Sequence, residues 1–226
     1  MQEFLGFHFE ILSNPRNKNS YIKLTRQGNL IFTYPLRFHN KLEHAKQYIV
    51  DNQEALKKHH QRLLKKQDEK QKILQEYLAQ YLLRYPNTLR IFDTTYEVSH
   101  VNIESLSQIL YNKSYSLLHE MANIMRLTFE SLRISYAKSY LGQCHGRHIK
   151  IDYRNVLCPE YLLRYLIVHE LSHIRFPNHS KSFWAEVATY YPNYKAARQE
   201  IKSLATKNTE VLQYYHLLPK KLQNHS

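Results

Sequence analysis

This 226-residue chain has two cysteines, four glycines and no long apolar run. Cys144 and Cys158 are too few for a disulfide framework or a cysteine-rich zinc module, and their scarcity favours a reduced, cytoplasmic setting. No stretch approaches the ~18 consecutive apolar residues of a membrane span, so no membrane partner is expected. The start, Met1-Gln2-Glu3-Phe4, lacks the basic region and apolar stretch of a signal peptide. Acidic residues are also outnumbered, 19 Asp+Glu against 32 Lys+Arg, for a formal charge of +13. Such a balance draws anionic partners over long range, and nucleic acid or a nucleotide stays open as a partner. No recognition motif for either accompanies the charge.

A 43% hydrophobic and 13% aromatic content is that of a folded globular chain. Residues 1–39 read as a small antiparallel meander. Phe7 to Leu12 forms one run, Asn14-Pro15-Arg16-Asn17 a turn, and Tyr21 to Leu24 and Leu30 to Tyr34 flank the hairpin signal Gln27-Gly28-Asn29. From Asn40 the period becomes helical and continues to about Leu83 across a polar middle, as one long helix or as two with a link. The basic cluster around Lys57, Lys58, His59 and His60 reads as a solvated helix face. Tyr85-Pro86-Asn87 breaks the pattern, and a short hairpin follows over 89–98. An amphipathic helix is expected over 103–130, with Leu106, Ile109, Leu110, Leu117, Leu118, Met121, Ile124 and Met125 as its buried stripe. Two strands, 132–138 and 148–153, then flank Gly142-Gln143-Cys144-His145-Gly146. Two of the four glycines therefore bracket one turn, which concentrates unusual dihedrals or close backbone approach there.

The chemistry lies in His169-Glu170-Leu171-Ser172-His173 and in His179, six residues further on. On a helix, positions i and i+4 share a face, so both imidazoles reach one ion while Glu170 points into the same cleft. The helix, Glu160 to about Ile174 behind Pro159, is apolar almost all round: Tyr161, Leu162, Leu163, Tyr165, Leu166, Ile167, Val168 and Leu171. A helix apolar on all faces is buried, and burying two histidines and a glutamate in it is costly unless a metal or partner compensates. With 14 histidines in the chain, spacing alone is weaker evidence than this burial. Phe176-Pro177-Asn178 turns the chain so that His179 swings back. Ser180 then caps a backing helix carrying Phe183, Trp184, Val187 and Tyr191, which Pro192 ends.

The runs Val168-His169-Glu170-Leu171-Ser172-His173, Asn178-His179-Ser180, Phe183-Trp184 and Pro192-Asn193-Tyr194 resemble the YgjP-like metallopeptidase domain family, a small zincin group akin to the SprT-like proteins. Leu141-Gly142-Gln143-Cys144 stands where that family has a Trp-Gly-Ser-Cys-like motif, keeping Gly and Cys. The metzincin glycine would fall at Phe176, so that group is not assigned. The resemblance implies an α+β fold: a small zincin-like domain with the N-terminal antiparallel meander, an active-site helix, a backing helix and a helical insertion at 52–90. It further implies Zn²⁺ held by His169, His173 and His179, with Glu170 as general base toward a water at the open fourth position, and a protein or peptide substrate. Either strand, 132–138 or 148–153, would pair with an extended peptide. Tyr190, Tyr191, Tyr194 and His145 are candidates for stabilising the oxyanion, and Cys144 reads as a core thiol before a ligand. Regions are expected at 1–100 for the N-terminal strands and helical region, 101–205 for the zincin-like core and 206–226 for a C-terminal tail, all within one compact unit. Two other readings stay open: metal-dependent hydrolysis of a nucleotide phosphoanhydride, and a nucleic-acid-associated protease or binding module.

Overall fold

A computed structural model describes residues 1–25, 27–137 and 139–223. The chain divides into two compact units, Met1–Ile73 and Leu74–Ser226.

In the first unit, β1 (Gln2–Phe4), β2 (Phe7–Asn14), β3 (Tyr21–Leu24) and β4 (Leu30–Pro35) form one sheet in the order β1-β2-β4-β3. This corrects the expected antiparallel meander, because β2 and β4 run parallel, from Phe9 opposite Leu30 to Asn14 opposite Pro35. The reason is burial. Leu30, Phe32 and Tyr34 are fully buried, and β4 takes one of the two interior positions, between β2 and β3. β3, with Tyr21 and Lys23 exposed, is left at the edge. Ala45, Ile49 and Leu56 of the following helix complete this core with Phe7 and Phe9.

That helix, α1 (Lys41–Arg84), is a single element of 44 residues, which settles the alternative of two helices. It contains neither glycine nor proline, and its polar middle is built of strong helix formers. Lys57, Lys58, His59, Arg62, Lys65, Lys66 and Lys70 are exposed, a solvated face as expected. Tyr85-Pro86 stops the helix, since the residue before a proline disfavours the α region.

The second unit opens with the last turns of α1 and a hairpin, β5 (Thr88–Ile91) and β6 (Thr94–Glu97). Asn102 and Ser105 form a reciprocal capping box at the start of α2 (Ile103–Met125). The helix ends five residues before the expected 130 because Arg126 adopts a left-handed conformation (φ 53°). The expected stripe is buried at Leu106, Leu110, Leu117, Leu118, Met121 and Met125, but Ile124 points outward, 54% exposed. A three-stranded sheet follows: β7 (Ser131–Ser135), β8 (Gly142–His145) and β9 (His148–Asp152), in the order β7-β9-β8. β9 is central, parallel to β7 and antiparallel to β8. Residue 138, the end of the expected first strand, lies outside the described residues.

The unit is completed by α3 (Glu160–Arg175), α4 (Lys181–Tyr190), α5 (Tyr194–Tyr214) and α6 (Lys220–Gln223). One core joins Leu89, Ile91 and Phe92 of the hairpin region to α2, β9, α3 and Val211, Leu212, Leu217 and Leu218. The expected limits at 100 and 205 therefore cut through a continuous core: the hairpin is part of the second unit, and residues 206–223 are packed structure instead of a tail. Residues 224–226 lie outside the described residues. No helix among the described residues is long and apolar enough to cross a membrane.

Candidate metal centre

α3 is buried as its composition demands, with Leu162, Leu163, Ile167, Val168 and Leu171 at 0% exposure. Tyr161 departs from the expected all-round burial: it is half exposed, and its hydroxyl donates to Glu200 at 2.5 Å. At the other end of α3, Arg175 ties three elements together. Its guanidinium pairs with Glu186 of α4 and donates to the Met125 carbonyl at the end of α2, 2.7 Å away. Ser180 caps α4 by accepting from the Phe183 N–H at 3.2 Å. The segment carrying His179 is thus held between two anchored helix ends.

The structure brings His169, His173 and His179 together, with one potential ligand atom from each lying within 4.8 Å of the others. His179 Nε2 faces His169 Nε2 at 3.0 Å. His173 Nδ1 lies 3.1 Å from the Phe176 carbonyl, so Nδ1–H donates there and Nε2 keeps its lone pair for the cleft. The aromatic residues of α4 pack the rings in place. Phe183 lies 4.9, 4.5 and 4.7 Å, centroid to centroid, from His169, His173 and His179. Trp184 stacks on His179 at 5.5 Å and touches His169 at 5.6 Å. Trp184, on the backing helix, thus packs against two of the three rings.

Electrostatics keep this cluster uncharged. Burial pushes His169 down to about 3, aided by His173, His179, Arg198 and Lys202. Burial also lowers His173 and His179. Three neutral imidazoles suit a borderline-soft divalent ion such as zinc. His169 Nδ1 is buried and without a hydrogen-bond partner among the described residues. At 3.0 Å the two nitrogens either share a proton in a hydrogen bond or turn both lone pairs toward one cation beside them. The donor set fits a metal.

Glu170, 2% exposed, is pushed up to about 8 by burial. Its nearest constraint is β8, the edge strand lying on α3. A Cβ added to Gly142 would overlap Glu170 Oε1 and sit 2.8 and 2.9 Å from Cδ and Cγ. Alternation along the strand puts Cys144 on the same face as Gly142. Burial, then the charge of Glu170, raises the Cys144 thiol to about 11, which favours its protonated form.

β8 is positioned by a buried polar network that sequence reading missed. Asp152 (0% exposed) accepts from Arg154 Nε at 2.5 Å, the Arg154 N–H at 3.1 Å and the Ala137 N–H at 2.9 Å. Arg154 also donates to the Ala137 and Tyr140 carbonyls at 2.6 and 3.2 Å, and Asn155 Nδ2 donates to the Leu141 carbonyl at 2.9 Å. The connection entering Gly142 is thereby pinned. A short Asp-Tyr-Arg-Asn run after an apolar strand was its only sequence signal.

The expectation that 148–153 would offer a free strand edge is corrected, because β9 pairs on both sides. β7 is an edge, but the edge beside Glu170 is β8. Of the proposed oxyanion stabilisers, Tyr191 donates its hydroxyl to the Tyr161 carbonyl at 3.0 Å and Tyr190 bonds Arg175, so both are committed elsewhere. Tyr194 stacks on Trp184 at 5.2 Å, and His145 is exposed at the end of β8.

Two histidines and a glutamate of a buried helix, joined by His179 from the turn that follows it, form a cluster able to hold a divalent metal ion. Residues 93–204 match the YgjP-like, metallopeptidase domain family, and this part of the chain belongs to that family. The domain is thus of the metallopeptidase class of hydrolases. The crystal structure of the metallopeptidase zymogen of Pyrococcus abyssi abylysin is similar at a TM-score of 0.38 and 25% identity, over 40% of this chain and 92% of that one. No curated protein matches the chain.

Proposed function

We propose that the chain is a zinc-dependent metallopeptidase in which His169, His173 and His179 hold Zn²⁺ and Glu170 is the general base. The observation that carries this reading is the convergence of three neutral imidazoles on a buried helix with Glu170 beside them. When bound, zinc supplies Lewis acidity toward a water and the scissile carbonyl. The Phe176 carbonyl fixes the tautomer of His173, and Phe183 and Trp184 hold the ring orientations. Glu170 takes a proton on its carboxylate from the attacking water and passes it to the departing amine. Burial favours the protonated carboxyl between those two transfers. The free edge of β8 lies where an extended peptide would add as a further strand, its scissile bond directed toward Glu170.

The test compares wild type with Glu170→Gln on unfolded protein and peptide substrates, with a panel of nucleoside triphosphates in parallel. Metal-dependent peptide cleavage that falls by at least about a hundredfold in Glu170→Gln, with metal retained, is expected. Turnover of nucleotides with peptides untouched would overturn the peptidase reading in favour of phosphoanhydride hydrolysis.

A further inference from the structure

Beside the metal-ligand cluster, and sharing Trp184 with it, lies a shallow pocket of about 450 Å³ lined by Trp184, Tyr194, Lys195, Arg198, Gln199 and Lys202. We propose that this pocket is a specificity subsite that binds a carboxylate-bearing side chain of the peptide substrate, resting on the metallopeptidase reading above.

Its charge is of one sign. Residues 195, 198 and 202 follow the i, i+3, i+7 spacing of one helix face, so α5 presents three cations together. No carboxylate lines the pocket, and among the described residues none of the three cations is in a salt bridge. The nearby acid of α5, Glu200, is occupied by the Tyr161 hydroxyl. Three uncompensated cations on one face repel each other, and an anion placed among them relieves that repulsion.

Its shape favours a planar anion. Arg198 Cζ sits 4.7 Å from the centre of the Trp184 ring, which restrains the guanidinium and orders its donors. Tyr194 stacks on the same indole, making an aromatic floor. A carboxylate can take two parallel hydrogen bonds from a guanidinium held in this way. The Trp184 ring that forms the floor also stacks on His179, so a side chain in the pocket belongs to a residue close to the bond being cut. A peptide also fits the domain class better than a nucleic acid, whose extended phosphate backbone would engage a longer basic track than one helix face.

Paired fluorogenic peptides that differ only as Glu against Gln near the scissile bond test the idea. The wild type is expected to favour the Glu peptides by about tenfold or more in kcat/KM. In Arg198→Glu/Lys202→Glu the ratio is expected to fall to one or below, with Lys-containing peptides gaining relative to Glu. Comparing ratios cancels any general loss of activity in the variant. A wild-type ratio near one, or a ratio unchanged in the variant, overturns the proposal. A second arm does not need cleavage. Trp184 is the only tryptophan in the chain, so its fluorescence in Glu170→Gln reports binding at the pocket directly. Saturable quenching by the Glu peptide at least about tenfold tighter than by the Gln peptide supports the subsite even if the chain cleaves nothing, which would defeat the peptidase reading alone. Equal binding of both peptides, or tighter binding of a single-stranded oligonucleotide than of the Glu peptide, overturns the subsite.

Discussion

Gly142 faces Glu170 with no space for a side chain between them: a Cβ at 142 would lie within 3 Å of Oε1, Cδ and Cγ of the glutamate. The glycine is needed for close approach, not for an unusual backbone angle. Gly142→Ala is therefore expected to displace the Glu170 carboxylate. A shift of ~1 Å in a catalytic group can cost about a hundredfold in kcat, with an overpacking penalty of roughly 1–3 kcal/mol in stability. The atoms a Cβ at 142 meets first belong to Glu170 and not to a histidine, so metal content should hold. Peptidase assays alongside metal analysis check this, and full activity in Gly142→Ala would show that the carboxylate has freedom the packing denies it.

Metal binding itself is the next expectation. Purified protein should hold zinc near one equivalent, and His179→Ala should lose most of it, because two imidazoles remain of three. Added zinc should raise the Tm of wild type in proportion to the logarithm of its concentration above Kd. His179→Ala should respond far less. Equal metal content in the two proteins would sink the three-ligand assignment.

The buried network under β8 predicts a stability defect with a functional consequence. Asp152→Ala strands Arg154, 13% exposed, without its carboxylate, and breaking a buried pair from one side costs about 3–5 kcal/mol. It also loosens the hold on Ala137, Tyr140 and Leu141, ahead of Gly142. Denaturant unfolding should show the loss, and activity measured where the variant is still folded should fall as well. Wild-type activity in a destabilised but folded Asp152→Ala would mean that the network supports the fold without positioning β8.

What was legible in the sequence follows from which interactions are local. The i, i+4 histidines, the Ser180 cap and the apolar run around His169 are all encoded within one or two turns of helix, and these the pattern exposes. The order of the first sheet was not legible, because the parallel pairing of β2 with β4 depends on which strand buries both neighbours, a property of the assembled core. The two alternatives for α1 could not be separated from a polar stretch, although the absence of glycine and proline decides for one helix. Gly142 was singled out only as one of a pair of glycines. Its partner, Glu170, lies 28 positions away, and only the packing of β8 on α3 joins them. Likewise Phe183 reads as a core residue of a backing helix, and nothing local reveals that it touches all three imidazoles.

The opposed pKa shifts at the site give the metal-free protein a pH signature. Burial raises Glu170 from an ordinary 4.5 to about 8, so the folded state prefers it protonated. That contribution to stability is complete below about 4.5 and is lost as pH rises to 8. His169 runs the other way: it falls from 6.5 to about 3, its contribution is complete above 6.5, and it is lost as pH drops toward 3. Between pH 4.5 and 6.5 the two slopes oppose each other. From 6.5 to 8 the Glu170 slope stands unopposed by His169, and at about 1.4 kcal/mol per pH unit the metal-free chain should lose roughly 2 kcal/mol over that interval. Urea unfolding of metal-stripped wild type at the two pH values measures the loss, and Glu170→Gln, which has no proton to release, removes it. If the two proteins lose stability equally between pH 6.5 and 8, the slope belongs to other groups and Glu170 ionises in the fold as freely as it does in water.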